Sequence, residues 1–170
     1  FDYSTDPNFT TFASQTTTAT DPTIPVQIEV TGLEPNTPYF YRATDRFGST
    51  ETGQLKTLAP LGTNTGLRFG VSGDWQGELG PFPSISNADD RQLDFFVQLG
   101  DTLEADSISP DLPGVRQSGN YSQFLTKHNE IYSQRFGINK WADLRESTTV
   151  YATWDDHDIT NDFAGGAAPA

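Results

Sequence analysis

Three stretches of this chain put acids where chemistry can be done. The last, Thr149–Asp162 (TVYATWDDHDITND), opens with Val150, Tyr151 and Thr153 and turns abruptly to Asp155, Asp156, His157 and Asp158. The other two are LRFGVS running into Gly73-Asp74 and FFVQL running into Gly100-Asp101. Each reads as a strand that ends on a carboxylate. In a parallel sheet the C-terminal strand ends share one edge, and ligands bind there. Glycine before aspartate lets the backbone turn sharply and come close to an ion. Carboxylates gathered on one edge repel each other unless a cation sits between them, and a hard ion with oxygen ligands suits such donors. An imidazole beside them adds a group that can donate or accept a proton. Taken singly, a Gly-Asp pair is usually a turn and an acidic loop is usually a solvated surface. It is the joint pattern that points to a site.

The elements that must position these groups fall into two regions. Residues 1–58 read as all-β, with short Thr-, Val-, Ile- and Tyr-rich runs broken at Asp6-Pro7, Asp21-Pro22 and Phe47-Gly48. Val26, Ile28 and Val30 alternate with Gln27 and Glu29, the period-2 pattern of a half-buried strand. In GLEPNTPYFYRA, the residues Leu33, Pro35, Thr37 and Tyr39 have the spacing of a tyrosine corner, in which the hydroxyl bonds back to upstream backbone. This region looks like part of a fibronectin type III-like sandwich, and three or four strands of one leave a sheet face uncovered. Residues 59–66, rich in Pro, Gly, Thr and Asn, read as a linker.

From residue 67 the pattern changes to strands alternating with helices, which predicts βαβ units and a mainly parallel sheet. Strands are expected at Leu67–Ser72, Phe95–Leu99 and Thr149–Trp154. A short helix is expected at Asn87–Leu93, with Asn87 as its cap and Asp89 and Asp90 in its first turn. Tyr121–Phe136 is the clearest helix, because Tyr121, Phe124, Leu125, His128, Ile131, Tyr132 and Phe136 share one stripe. That stripe makes His128 a core-edge histidine rather than a ligand. Trp141 and Leu144 mark another short helix, and Trp75 and Trp154 are expected to pack in the core.

Composition narrows the function classes. The 170 residues carry 23 acids and 10 bases, a net charge of −13, which argues against a nucleic-acid partner and suits a site neutralised by metal cations. Cysteine is absent, so disulfides, thiolate metal sites and cysteine nucleophiles are excluded within the chain. No apolar run is long enough to span a membrane as a helix. The chain begins on FDYSTDP without Met and ends in AGGAAPA, and it reads as an internal piece of a longer protein.

GLEPNTPYFYR, RFGVSGDWQGE, FFVQLGDTLEAD, YSQFLTKHNEIYSQRF and VYATWDDHDITND cover nearly the whole chain. Together they resemble the PhoD-like alkaline phosphatases of the calcineurin-like metallophosphoesterase superfamily. WDDHD-x-x-ND and LGD-x-x-x-AD are the most specific elements. The resemblance implies a mixed fold: a partial fibronectin type III-like β domain at 1–58, a linker at 59–66, and the N-terminal part of an α/β metallophosphoesterase domain at 67–170. It implies a metal-dependent phosphoric ester hydrolase, acting on phosphomonoesters and as a further class on phosphodiesters, with a metal-bridging hydroxide as nucleophile. By the same resemblance Asp74 binds one metal, Asp101 bridges two, Asp156 binds the second, and His157 is the proton donor. Asp155 and Asn161 are supporting groups.

Two positions depart from the family pattern. Glu104 stands where many members have a tyrosine associated with ferric iron, although its carboxylate can still ligate, and Gln76 stands where many have a metal-binding histidine. The cofactor expectation is therefore two divalent or trivalent ions drawn from Ca, Mg, Mn, Fe or Zn. The family completes its site with later histidines, whereas this chain has only His128 and His157, so half a site and little catalysis by this piece alone are expected. An extracellular or periplasmic location follows from the resemblance only. The competing class is a non-catalytic extracellular binding or adhesion module with a degenerate metal site. Convergence of the strand-end carboxylates in one cleft discriminates between the two.

Overall fold

The computed structural model describes residues 1–165 apart from 22, 23, 25, 77–79, 90 and 91. The first region forms one antiparallel sheet of β1 (Asp2–Ser4), β2 (Ala13–Ser14), β3 (Pro38–Thr44) and β4 (Thr50–Lys56), in the order β2-β1-β3-β4. The β3–β4 hairpin is paired from Pro38↔Lys56 to Thr44↔Thr50. Asp45 closes its turn by accepting from the backbone N–H groups of Phe47 at 2.8 Å and Ser49 at 2.9 Å. That is the reason an aspartate suits the position. Arg42 on β3 pairs with Asp2 on β1 at 2.7 Å, and its guanidinium lies over the rings of Phe9 and Phe12. The back-bond expected of the tyrosine corner is present: the buried Tyr39 hydroxyl accepts from the Glu34 N–H at 3.0 Å.

The expected alternation survives only in part, since Ile28 and Val30 are half-buried between exposed Gln27 and Glu29 but Val26 is exposed as well, and the run joins no ladder among the described residues. Alternating burial needs only an extended backbone lying on a surface. A strand also needs a neighbour for its N–H and C=O groups.

The second region is a parallel sheet of β5 (Phe69–Ser72), β6 (Phe95–Gln98) and β7 (Val150–Ala152), in the order β5-β6-β7. Its register sets Ser72 opposite Gln98 and Gln98 opposite Ala152, so all three strands end side by side. Two helices follow β6: α1 (Tyr121–Tyr132) and α2 (Lys140–Ser147). Asn120 caps α1 by accepting from Gln123 N–H, and Asn139 caps α2 by accepting from Trp141 and Ala142 N–H. The Asn139 amide also donates to Ile131 O and Ser133 O, which ties the end of α1 to the start of α2.

The core lies on one face of this sheet, where Trp75, Phe82, Ile85, Phe96, Ile131, Trp141 and Leu144 pack with Val150 and Leu93 at its margin. Trp75 meets Trp141 edge-on, with ring centroids 4.9 Å apart. The opposite face carries Phe69, Val71 and Tyr151, each about half exposed, with Phe69 stacked on Phe95 at 5.2 Å. The two regions meet where α2 packs on β4. Gln54 donates to Ser147 O, and Lys56 pairs with Asp94 at 2.5 Å. Gly53 leaves room there, since a Cβ on it would lie 2.9 Å from Glu146 O.

Several sequence expectations need correction. No α-helix runs over 87–93 among the described residues: Pro83 starts a 3-10 turn at Pro83–Ile85, residues 86–87 form a turn, and Gln92 takes a left-handed φ of 52°. Proline's fixed φ favours that earlier start; Asp90 lies outside the described residues. The long helix stops at Tyr132, and Phe136 beyond it is exposed with φ 57°. Its expected apolar stripe is mostly exposed at Tyr121, Leu125 and Tyr132, and only Ile131 of that stripe is buried in the core.

The buried face of α1 instead includes Lys127 and Glu130. Lys127 Nζ donates to Ser107 O, and Glu130 accepts from the Asp111 N–H at 2.7 Å, so α1 grips the preceding loop through polar tips. Apolar periodicity cannot register such burial, because long polar side chains bury their stems while their heads find backbone partners. His128 is accordingly exposed beside Tyr132 and not at the core edge. Trp75 is in the core, but Trp154 is 59% exposed and touches Phe163.

Leu144 is fully buried at the centre of the cluster. Leu144→Ala should cost about 2–5 kcal/mol of folding free energy through lost transfer energy and the cavity left behind. Urea unfolding measures it, and a cost under about 1 kcal/mol would contradict this placement of α2.

Candidate metal centre

The in-register ends of β5, β6 and β7 deliver three loops to one edge, and backbone geometry then draws them together. Gly100 has φ 102°, and a Cβ on it would lie 2.5 Å from Asp155 Cβ and 2.6 Å from Asp155 N. Only glycine lets the β7 loop approach so closely. Asp74 and Asp101 both adopt left-handed backbone, with φ 57° and 50°, a conformation aspartate tolerates better than most residues. The β5 loop lies along the β6 loop through Asp74 N–H to Gly100 O at 3.2 Å and Trp75 N–H to Asp101 O at 3.1 Å. The β6 and β7 loops are joined by His157 N–H to Asp101 Oδ1 at 3.1 Å and Ala105 N–H to His157 O at 2.9 Å.

After β7 the chain makes a 3-10 turn at Asp156–Asp158. Asp155 is its N-cap, and Asp155 and Asp158 form a capping box. This local acid pattern satisfies turn N–H groups that would otherwise lack partners. Asp156 Oδ2 accepts from the Asp162 N–H at 2.5 Å, which fixes the start of the turn to its exit.

Two groups of metal-competent side chains result. Donor atoms of Asp101, Asp156 and His157 lie within 4.8 Å of one another, and so do those of Glu104, Asp106 and His157. His157 is common to both. Asp74 is in neither group, although its backbone is bonded to Gly100. Glu104 also accepts from Ser107 Oγ at 2.7 Å. Asn161 donates its backbone N–H to Asp106 Oδ2 at 2.7 Å and its amide to Asp162 at 3.0 Å.

Two further acids, not among the expected site residues, join this edge. Asp106 lies 2.9 Å from His157 Nδ1, and Asp158 binds backbone across the loops. The LGD-x-x-x-AD spacing holds the signal for Asp106. Nothing in the order of residues announces Asp158 among so many acids.

Electrostatics separates these carboxylates. Burial pushes the Asp101 carboxyl up to about 6; the His157 charge and N–H oppose that, while Asp156 and Asp155 add to it. Burial also pulls Asp106 upward, but hydrogen bonds from His157 and the Asn161 N–H outweigh it and hold Asp106 below the ordinary carboxyl range. The hydrogen bond to Asp106 raises the His157 imidazole against its own desolvation, helped by the charges of Asp106, Asp101 and Asp156. A carboxylate only 3% exposed among other acids fits a cation, because a positive ion removes the repulsion that burial intensifies. Oxygen donors with one imidazole suit a hard or borderline ion.

Acids and an imidazole converging at the carboxyl edge of a parallel sheet define an α/β protein with a candidate metal site. The model for "PhoD-like phosphatase, N-terminal domain" matches residues 1–59, and the model for "PhoD-like phosphatase" matches residues 69–169. The chain belongs to the PhoD-like phosphatase family. It is 29% identical over 151 residues to alkaline phosphatase D of Bacillus subtilis (strain 168), which covers 82% of this chain and 25% of that protein. A solved structure of PhoD superposes with a TM-score of 0.75 at 24% identity, covering 96% of this chain and 33% of that one, and this likeness concerns the fold. The chain thus spans a quarter of the curated relative's length and a third of the solved chain's.

Two outcomes are expected. Gly100→Ala should destabilise the chain by about 1–3 kcal/mol, since it adds a clash to an unfavourable φ; unchanged stability in urea would contradict the close approach of the β7 loop. With chelator present, the chain should melt at higher temperature at pH about 5 than at about 7.5. Asp101 has a raised folded pKa, so its contribution is full below the unfolded value of 3.8 and is lost as pH rises through about 6. His157 acts in the same sense, because its stabilisation disappears as pH rises through its raised value. Asp106, held low, stays ionised across this window. A flat or inverted melting profile would contradict the burial of Asp101.

Proposed function

We propose that this chain is part of a metal-dependent phosphoric ester hydrolase of the alkaline phosphatase type, acting on phosphomonoesters and as a second class on phosphodiesters. The observation that carries the reading is the buried Asp101 carboxylate grouped with Asp156 and His157 at the ends of adjacent parallel strands, in a chain whose residues 69–169 match the PhoD-like phosphatase model. The domain reading goes with it: a partial fibronectin type III-like β domain at 1–58, a linker at 59–66, and the first part of a metallophosphoesterase domain from 67.

Asp101 and Asp156 are the metal-holding residues in this reading. Asp74, on the β5 loop and outside both groups of convergent donors, is a further proposed ligand, and Glu104 is another oxygen donor. Two divalent or trivalent ions, drawn from Ca, Mg, Mn, Fe or Zn, supply Lewis-acid activation of water and neutralise phosphoryl charge when bound. The protein's own work is positioning and proton transfer. The Asp106 carboxylate takes the Nδ1 proton of His157 as a hydrogen bond, which leaves Nε2 to protonate the departing alkoxide oxygen. The hydrogen bond and charge of Asp106 raise the His157 imidazole above its ordinary value, which favours the protonated ring. Asp155 and Asn161 hold the turn through Asp156 N–H and Asp106. An extracellular or periplasmic location belongs to the same reading; among the described residues no helix is long and apolar enough to cross a membrane.

The test is p-nitrophenyl phosphate hydrolysis across a metal series, on this chain and on a longer protein containing it. Asp101→Asn should lose both bound metal and activity. His157→Ala should retain metal and lose about 100- to 10,000-fold in kcat, the usual worth of a general acid. Full activity in both variants would end the site assignment, and loss of metal in His157→Ala would make His157 a ligand instead.

A further inference from the structure

Of the two acids of the WDDHD run that belong to neither metal-competent group, Asp155 and Asp158, the second bonds backbone in both loops at this edge. Asp158 Oδ2 accepts from the backbone N–H of Asp101 at 3.0 Å and from that of Asp155 at 3.0 Å, while Oδ1 accepts from the Leu103 N–H at 3.1 Å. Three amides from two loops, after β6 and after β7, therefore end on a single carboxylate. Two of them flank Gly100 in space, where the loops approach too closely for any side chain. The bond from Asp101 Oδ1 to His157 N–H runs in the opposite sense, so the two loops are locked reciprocally: each supplies a carboxylate that binds the other's backbone.

We propose that Asp158 is a positioning residue that sets the separation of Asp101 from Asp156 and His157, by stapling the N–H groups of Asp101, Leu103 and Asp155 to one carboxylate. The inference rests on the metal-site reading above and assigns its spacing to a residue that does not itself bind metal. Three N–H donors converging on one side chain need both of its oxygens as acceptors. An Asn in its place has one acceptor oxygen and an amide that turns N–H donors toward N–H donors, so at least one of the three amides loses its partner. The reach also matters, because Asp158 must bond back to Asp155 within its own turn and outward to Asp101 at once.

The experiment has two arms on the whole chain. In the first, amide hydrogen exchange is followed by NMR in metal-free wild type and in Asp158→Asn. The Asp101, Leu103 and Asp155 amides should be protected in wild type, and at least one of them should exchange at least about tenfold faster in the variant, with β3 and β4 amides unchanged. In the second, Mn2+ affinity is titrated, and Asp158→Asn should bind about 10- to 100-fold more weakly with its circular dichroism intact.

A general structural role would speed exchange throughout the chain, and that result overturns the proposal. So does a variant whose Mn2+ Kd stays within about twofold of wild type. If wild type takes up no Mn2+, the metal-site reading fails, and the exchange arm alone decides whether the staple exists. If Asp158→Asn does not fold, the wild-type amides decide: protection at all three supports the staple, and free exchange at Asp101 and Leu103 overturns it.

Discussion

A carboxylate held 3% exposed beside other acids is costly, and the second region of this protein is arranged around that cost at Asp101. Desolvation disfavours its charge, and Asp155 and Asp156 add repulsion. Opposing these are the His157 backbone N–H, the His157 imidazole whose pKa Asp106 raises, and the capacity of the site for a cation. Asp106 and Asp101 thus act on His157 from different sides. One binds its ring and the other binds its backbone. Charge, proton and loop position are coupled through one histidine.

That coupling depends on strand register. Parallel pairing that sets Ser72, Gln98 and Ala152 abreast brings three loop starts to one level, and a slip of one residue would turn every side chain to the opposite face. Register is specified by the buried side of the sheet, where Phe96 and Val150 pack with Trp75, Trp141 and Leu144. The aromatic cluster and the acid cluster are therefore linked at Trp75. Its ring lies in the core and donates to Ser72 Oγ at 2.8 Å, while its backbone N–H bonds Asp101 O. Packing energy far from the edge fixes polar geometry at the edge.

The first region contributes to this frame from outside. Its β4 strand packs on α2, and Lys56 reaches Asp94, whose other oxygen accepts the Arg68 N–H ahead of β5. Asp94 sits immediately before β6, so the contact touches the starts of both strands that end at Asp74 and Asp101. Salt-bridge and backbone hydrogen bonds hold the Asp94 carboxyl low. The antiparallel sheet is in this way a brace for the parallel one.

The order of residues by itself determined the strand ends, the two-region layout and the acids worth watching. Hydrophobic runs ending in Gly-Asp encode both a buried strand and the turn after it, and the tyrosine corner is local enough to be read from spacing at Tyr39. Family-specific motifs named Asp101, Asp156 and His157, whose donors do converge. Tertiary structure decided the rest, for reasons that spacing does not carry. Which face of α1 is buried was settled by Lys127 and Glu130 finding backbone partners in the 107–118 loop, against the apolar stripe. Val26–Val30 has strand periodicity without a ladder, because pairing belongs to two segments and not to one. Asp106 and Asp158 gained their roles only when the loops after β6 and β7 met across Gly100. Their partners are distant in the chain, and hydrogen bonds between distant loops are written in geometry alone.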